Sequence, residues 1–182
     1  NCTDIEIWSN ILYCEPVVVN GVELRTIATK HILLKRARDV RVYNNTLLEC
    51  TNTGIWVNNC KDGSIDIRNN IATGLVGRAT AIWFDDPADV LKLDHNLYHA
   101  NPNAVRWGAT YYRSVSEFAA AVPGFEAGGV DADPKLAGPY SAFLSLGSGA
   151  IDAGETLPPL YSTDVNGGRR TDIWDIGAHE VA

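Results

Sequence analysis

A seven-residue shape, with aliphatic side chains two apart and an asparagine at its end, occurs four times in the first half of the chain. The copies run from Asp4 to Asn10, Asp39 to Asn45, Ser64 to Asn70 and Val90 to Asn96. Apolar and polar positions alternate within each, the period of a strand with one face buried. After a longer first interval the closing asparagines return about every 25 residues, the spacing of a repeat architecture. Between the copies stand further short strand patterns, such as Gly54 to Asn59 and Ala81 to Asp86, where a βαβ unit would need a helix. The pattern predicts an all-β chain, a right-handed parallel β-helix (solenoid) whose coils lay their strands about 4.8 Å from those of the next.

Register follows from the outward positions, because a slip of one residue would turn every aliphatic side chain to solvent. Stacking the copies puts Ile5, Val40, Ile65 and Leu91 inward and Glu6, Arg41, Asp66 and Lys92 in one outward column of alternating sign. Neighbouring charges in that column should attract by a few tenths of a kcal/mol, roughly. Asn10, Asn45, Asn70 and Asn96 form a second column, an asparagine ladder. Asparagine tolerates the left-handed backbone of a tight corner, and stacked amides can bond along the axis. Both columns are structural.

After Asn96 the repeat stops. Ser114 to Glu117 has the form of a capping box, so a short helix is expected through Val122, ended by Pro123 and Gly124. The chain therefore divides into β-helix coils over 1–100 and an irregular capping region over 101–182 that lies on the last coils. Because the sequence opens almost at once on a strand and without Met, further coils are expected upstream, or self-association through the open N-terminal coil.

Charge narrows the partners. A formal net charge of −7 and a pI near 5.0 speak against a nucleic-acid binder, and no apolar run is long enough to cross a bilayer. Yet Arg25, Lys30, Lys35, Arg36, Arg38 and Arg41 stand close together with a single acid, Asp39, among them, and His31 adds a titratable group. They make either a solvated strand edge that discourages aggregation or a subsite for an anionic polymer. This stretch also holds the extra length of the first coil, an insertion expected around Gly21 to Arg38. Trp56 and Trp83 share a column one residue beyond Ile55 and Ile82, so both indoles should point outward. There they make a flat platform for sugar rings with Asn58, Asp85 and Asp86 alongside, or they pack beneath a loop.

Other chemistry is thinner. The four cysteines show no CxxC pair; Cys14 and Cys50 follow their ladder asparagines on adjacent coils, where they either form a disulfide or stay buried thiols. No Gly-x-Ser-x-Gly elbow occurs. For a glycoside hydrolase, Asp85 with Asp94 or Asp66 is the best carboxylate set on the coils. Asp164 to Gly168 has the look of a cation loop but lacks the third acidic position and the distal Glu of an EF-hand, and a turn with Arg169 or Arg170 pairing to Asp175 explains it equally. Calcium is the one cofactor left open; no residue is assigned as a metal ligand.

The pieces His95 to Tyr98, Ala104 to Gly108, Val130 to Pro134, Leu146 to Gly154 and Asp172 to Glu180, in this order, are similar to the C-terminal end of bacterial right-handed parallel β-helix proteins of the choice-of-anchor Q type. The resemblance spans residues 36 to 182, with Gly149 where the family usually has Pro and His179 where it usually has Tyr. It implies an exported protein, extracellular or on the cell surface. More distant β-helix relatives include lyases of pectate, alginate and chondroitin, which set a Lys or Arg base beside acidic residues that hold calcium. Lys35 lies near such a place, but Thr29 and Lys30 stand where the acids would be, so no catalytic residue carries over.

The expected function is therefore that of an exported protein that contacts an anionic polysaccharide. It is either a polysaccharide lyase acting on a uronate polymer or a non-catalytic surface or adhesion module. For the lyase, Lys35 and His31 are the candidate bases, and Arg25, Lys30, Arg36, Arg38, Trp56, Trp83 and Asp85 the substrate-binding set.

Overall fold

The computed structural model describes residues 2–13, 16–19, 22–25, 30–60 and 63–181. Its main strands fall into three sheets that the chain visits in turn. The first holds Cys2–Trp8, Ala37–Tyr43, Ile65–Arg68 and Val90–Asp94. The second holds Ile11–Tyr13, Thr46–Leu48, Ile71–Thr73, Leu97–His99 and Val130–Asp131. The third holds Lys30–Lys35, Thr53–Asn58, Thr80–Phe84 and Asn103–Trp107, with Thr110–Tyr112 added antiparallel at its end. Within each sheet a strand pairs in parallel with the strand one round later. The protein is thus mostly strand in parallel sheets, the class the periodicity predicts.

The alternation that suggested strands also sets what is buried. Val40, Ile65, Val42, Ile67, Ile55, Val57, Ile82 and Phe84 all point into one apolar core, and Glu6, Arg41, Asp66 and Lys92 pair in a single outward column. At the fourth copy the register shifts between Val90 and Lys92. Val90, not Leu91, takes the inward place opposite Ile65, and Leu91 is left 63% exposed, contrary to the sequence expectation. Alternation counts residues and cannot see a bulge that inserts one. The column is also less self-sufficient than its signs suggest. Glu6 and Arg41 do approach to 3.6 Å, but Asp66 is held by Arg68 of its own strand at 2.6 Å and Lys92 by the distant Glu155 at 2.8 Å.

The asparagine ladder forms. Each side-chain amide donates to the oxygen of the next, Asn10 to Asn45 at 3.0 Å, Asn45 to Asn70 at 3.0 Å and Asn70 to Asn96 at 2.9 Å. The left-handed residue at each corner is the one before the ladder asparagine, namely Ser9, Asn44, Asn69 or His95. The ladder ends on a carboxyl: Asn96 donates its side-chain amide to Glu126 at 2.7 Å and its backbone N–H at 3.2 Å, and the Tyr98 hydroxyl donates to the same group.

The insertion in the first round is an antiparallel hairpin of Pro16–Val19 and Val22–Arg25. It lies earlier than expected, and Lys30–Lys35 is a regular member of the third sheet. Cys14 lies outside the described residues, so the proposed pair has only its Cys50 half in view, a buried side chain with Sγ 3.0 Å from the Thr53 carbonyl.

The capping-box helix is present as Val115–Ala121, with the Ser114 hydroxyl accepting from the Glu117 N–H at 3.1 Å. Val115 and Phe118 enter the main core, and Trp107 and Phe125 pack around Phe118 and Trp107, closing the last round. Beyond Asp131 the chain turns back along the outside. Leu144, Ala150 and Ile176 bury Ile71 and Leu97 on the second sheet; Leu157, Tyr161 and Trp174 pack with Tyr43 and Trp8 on the first. This return reaches the earliest strands: the Tyr161 hydroxyl donates to Glu6 at 2.7 Å and the Ser9 hydroxyl to the Thr163 carbonyl at 2.9 Å. Gly177, at φ +102, is needed where the return runs close; a Cβ there would lie 2.6 Å from Ile71 Cδ1. Among the described residues no helix is long and apolar enough to cross a membrane.

Candidate functional site: the outer face of the third sheet

The C-terminal stretch covers the outer faces of the first two sheets with apolar side chains, and the third keeps its outward side chains towards solvent. Its inward rows are Ile32, Ile55, Ile82 and Val105, then Leu34, Val57, Phe84 and Trp107. Alternation therefore turns Leu33, Trp56, Trp83 and Arg106 outward in one row. Tyr111 continues that row on the antiparallel strand opposite Arg106. Leu33 and Tyr111 at the two ends are each 48% exposed.

The side chains of this row stack on one another. The Trp56 and Trp83 rings are stacked, 4.8 Å between centroids with 25° between planes. Lys30 Nζ stands 4.5 Å over the Trp56 ring, and the Arg106 guanidinium 4.0 Å over Trp83 and 5.0 Å over Tyr111. Lys30 and Trp83 come from strands on opposite sides of Trp56, and Trp56 and Arg106 from opposite sides of Trp83. Both faces of each indole are thus taken. The flat platform read from the sequence does not form, and the indoles offer their edges to solvent. What the face presents is a stacked indole pair capped by a cation on each side, with Tyr111 beyond Arg106, held by cation–π attraction worth about 0.5–2 kcal/mol per contact.

Asp85 fixes this stack. Its carboxylate accepts from Trp56 Nε1 at 3.0 Å, Trp83 Nε1 at 2.7 Å and the Asn58 side-chain amide. Lys35 lies opposite Asn58 in the strand register, so the second outward row starts with a cation. Beyond the other end of the stack, Tyr111 forms part of a hollow of about 660 Å³ whose other walls include Arg78 and Arg113.

Known proteins add nothing to this geometry. The chain matches no family model, no curated protein and no solved structure.

The candidate residues separate as follows. Lys30, Lys35, Trp56, Trp83 and Asp85 share the third face. Arg36 occupies a left-handed corner after Lys35, and Arg38 lies opposite Thr3 at the start of the first sheet, so neither belongs to the rows of the third face. Arg25 closes the hairpin, and its side chain lies outside the described residues. His31 is largely buried beside the backbone of Leu48 and Glu49; burial pushes its pKa down to about 4 against the upward pull of those backbone contacts. The partly buried imidazole is engaged with that backbone and stays neutral at pH 7, so it is poorly placed as a base for a polymer lying on the third face. Asp66 is likewise buried under the returning chain, with both its oxygens on Arg68 and one also taking the Tyr43 hydroxyl at 2.6 Å, so it pairs with Asp85 in no open groove. Arg106, Tyr111, Arg78 and Arg113 belong with the site and were not among the residues the sequence singled out; only the column position of Arg106, two strands past Trp56, could have marked one of them.

Two acidic clusters resolve into structural contacts. Asp94, His95 and Glu155 bring ligand-type atoms within 4.8 Å of one another. Glu155 already meets Lys92 through both oxygens at 2.8 Å and Arg68 at 3.3 Å, so the group is an ion-pair network that ties the returning chain to the first sheet. In the loop at Asp164, the carboxylate accepts the backbone N–H groups of Asn166, Gly168 and Glu180, while Arg170 meets the Asp175 carbonyl and the Glu180 carboxylate. The loop is a turn, but its arginine pairs with Glu180 and reaches Asp175 only at the backbone carbonyl.

Proposed function

We propose that this chain folds as a right-handed parallel β-helix that is exported and binds an anionic polysaccharide along the outer face of its third sheet, without cleaving it. The three-sheet order, one strand per sheet in each round, supports the β-helix reading, and right-handed crossovers are the rule for parallel connections. The observation that carries the binding reading is the concentration of Lys30, Lys35 and Arg106 on the sheet face that the described residues leave open, in a chain whose net charge is −7. Successive strands lie about 4.8 Å apart, so a polymer laid across them meets Lys30 and Lys35 on the first strand, the edges of Trp56 and Trp83 on the next two, and Arg106 on the fourth. Anionic groups on each sugar supply the counter-charge.

The lyase alternative needs a base poised beside a cation that neutralises the substrate acid. Of its two candidate bases, His31 is partly buried with its pKa pushed down to about 4, and Lys35 is exposed opposite Asn58, where the neighbouring Asp85 carboxylate is already occupied by indole and amide donors. Binding without cleavage fits that arrangement better.

The test is affinity for polygalacturonate, alginate and a sulfated glycosaminoglycan at two salt concentrations. At least one should bind, more weakly as salt rises, because exposed charges are screened. A K30A/K35A/R106A variant should lose most of that affinity. Equal binding by parent and variant, or no binding by the parent to any of the three, defeats the reading.

A further inference from the structure

We infer that the hollow between Arg78, Arg113 and Tyr111 is a discrete subsite for the anionic group, carboxylate or sulfate, of one sugar ring. The inference rests on the polysaccharide reading of the third face and adds the place where a charged ring is seated. Three segments converge there: Gly77 and Arg78 before the strand Thr80–Phe84, Pro102 and Asn103 at the start of the next strand, and Tyr111 with Arg113 on the returning strand and its exit. Its volume of about 660 Å³ lies within the ~300–1,000 Å³ of pockets that enclose small ligands.

The chemistry of the walls points to an anion. Arg78 and Arg113 are both exposed, and among the described residues neither takes part in an ion pair. Asp131, the acid that lines the neighbouring hollow with Arg113, is occupied by the N–H groups of Val115 and Ser116 and by the Ser116 hydroxyl, and the Glu117 carboxylate accepts the Arg113 backbone N–H at 2.8 Å without forming an ion pair with its guanidinium. Two guanidinium groups lining one hollow repel until an anion enters between them, and each presents a planar fork that matches carboxylate or sulfate oxygens. Tyr111 supplies an apolar wall of the kind a sugar ring packs on, and it is held in place by Arg106 5.0 Å over its ring. Asn103 donates its amide to the Ala79 carbonyl at 3.1 Å, which fixes the side chain and leaves its oxygen to accept from a sugar hydroxyl. Through Tyr111 and Arg106 the hollow joins the stack, so a polymer seated here continues past the edges of Trp83 and Trp56 towards Lys30.

The experiment titrates a galacturonate trimer, its methyl ester and a sulfated chondroitin disaccharide into the parent, into R78A/R113A and into R78K/R113K, with polygalacturonate and the intact sulfated glycosaminoglycan as polymer arms and K30A/K35A alongside. The parent should bind the trimer or the sulfated disaccharide, and which one binds separates carboxylate from sulfate. R78A/R113A should weaken that binding at least about tenfold, the lysine pair should recover only part of it, and esterifying the trimer should cost as much as removing the arginines. Melting temperatures of the variants should match the parent, since both side chains are exposed. If the parent binds polymer but neither short saccharide, or if R78A/R113A binds them as the parent does while K30A/K35A loses the polymer, the subsite is overturned and the open-face reading stands. If a single-stranded oligonucleotide binds the hollow in place of the saccharides, or the parent binds no saccharide and no polymer, the subsite and the polysaccharide reading fall together.

Discussion

The Arg106 guanidinium lies 4.0 Å over the Trp83 ring, where it caps the far side of an indole whose near side is already stacked on Trp56. Trp83 and Arg106 occupy neighbouring places in the strand register, so the contact follows from pairing alone and needs no loop to bring the groups together.

Replacing Arg106 with Ala should therefore loosen the stack without disturbing the core beneath it. The expected cost is about 0.5–2 kcal/mol of stability, from the lost cation–π contacts to Trp83 and Tyr111. Near-ultraviolet circular dichroism of the coupled indoles should weaken, and R106K should keep part of the signal. A variant with an unaltered spectrum and denaturation midpoint would show that the guanidinium does not hold the rings.

The ladder makes a sharper demand on a single residue. Asn70 is 2% exposed, gives its amide to Asn96 and to the Val42 and Arg68 carbonyls, and takes both the backbone and side-chain N–H of Asn45. N70A leaves several of these groups buried without partners, at about 1–3 kcal/mol for each. A loss of at least about 3 kcal/mol in urea denaturation is expected, whereas N10A, at the exposed end of the ladder, should cost much less.

Glu126 sets a pH dependence. Burial raises its carboxyl from 4.5 to about 8, outweighing the downward pull of the Tyr98 and Asn96 donors. The unfolded chain ionises this group above about 4.5 while the fold keeps the proton until about 8, so its stabilising contribution is complete below 4.5 and declines as pH rises to 8. His31 acts in the opposite sense: its folded pKa is depressed to about 4, so its contribution is present above 6.5 and is lost as pH falls towards 4. Between pH 6.5 and 8 the effect of Glu126 stands apart from that of His31, and parent stability should fall on the order of 1 kcal/mol per pH unit. E126Q keeps an acceptor for Asn96 and removes the titration, so its stability should be nearly flat over that window. Equal slopes for parent and variant would contradict the assignment.

Much of this fold could be read directly from spacing. The partners Glu6 and Arg41, Ile55 and Ile82, Trp56 and Trp83, and the four ladder asparagines all follow from aligning one seven-residue shape, because in parallel sheets each residue meets its counterpart one round later. What spacing missed has physical reasons. The bulge at Leu91 is a single inserted residue. The direction in which the Trp56 and Trp83 rings turn depends on Lys30, Arg106 and Asp85 together, and no one strand carries all three. The return of the chain over the first two sheets is made by contacts such as Asn69 with Glu155 and Glu6 with Tyr161, 86 and 155 residues apart, with no repeat to announce them. Arg78 and Arg113 look like ordinary surface cations in the sequence and share a hollow only because strand length and the turn after Trp107 bring them to it.

The claim that the open third face is the binding surface is tested most directly by following the five tryptophan indole N–H resonances while polygalacturonate, alginate or a sulfated glycosaminoglycan is added. Trp56 and Trp83 present their edges on that face, Trp8 and Trp174 lie where the returning chain covers the first sheet, and Trp107 packs against Phe118. The account predicts that one of these polymers shifts the Trp56 and Trp83 resonances at low salt, that high salt reverses the shift, and that Trp8, Trp107 and Trp174 stay in place. Shifts confined to Trp8 and Trp174, or no shift of any indole with all three polymers, would contradict it.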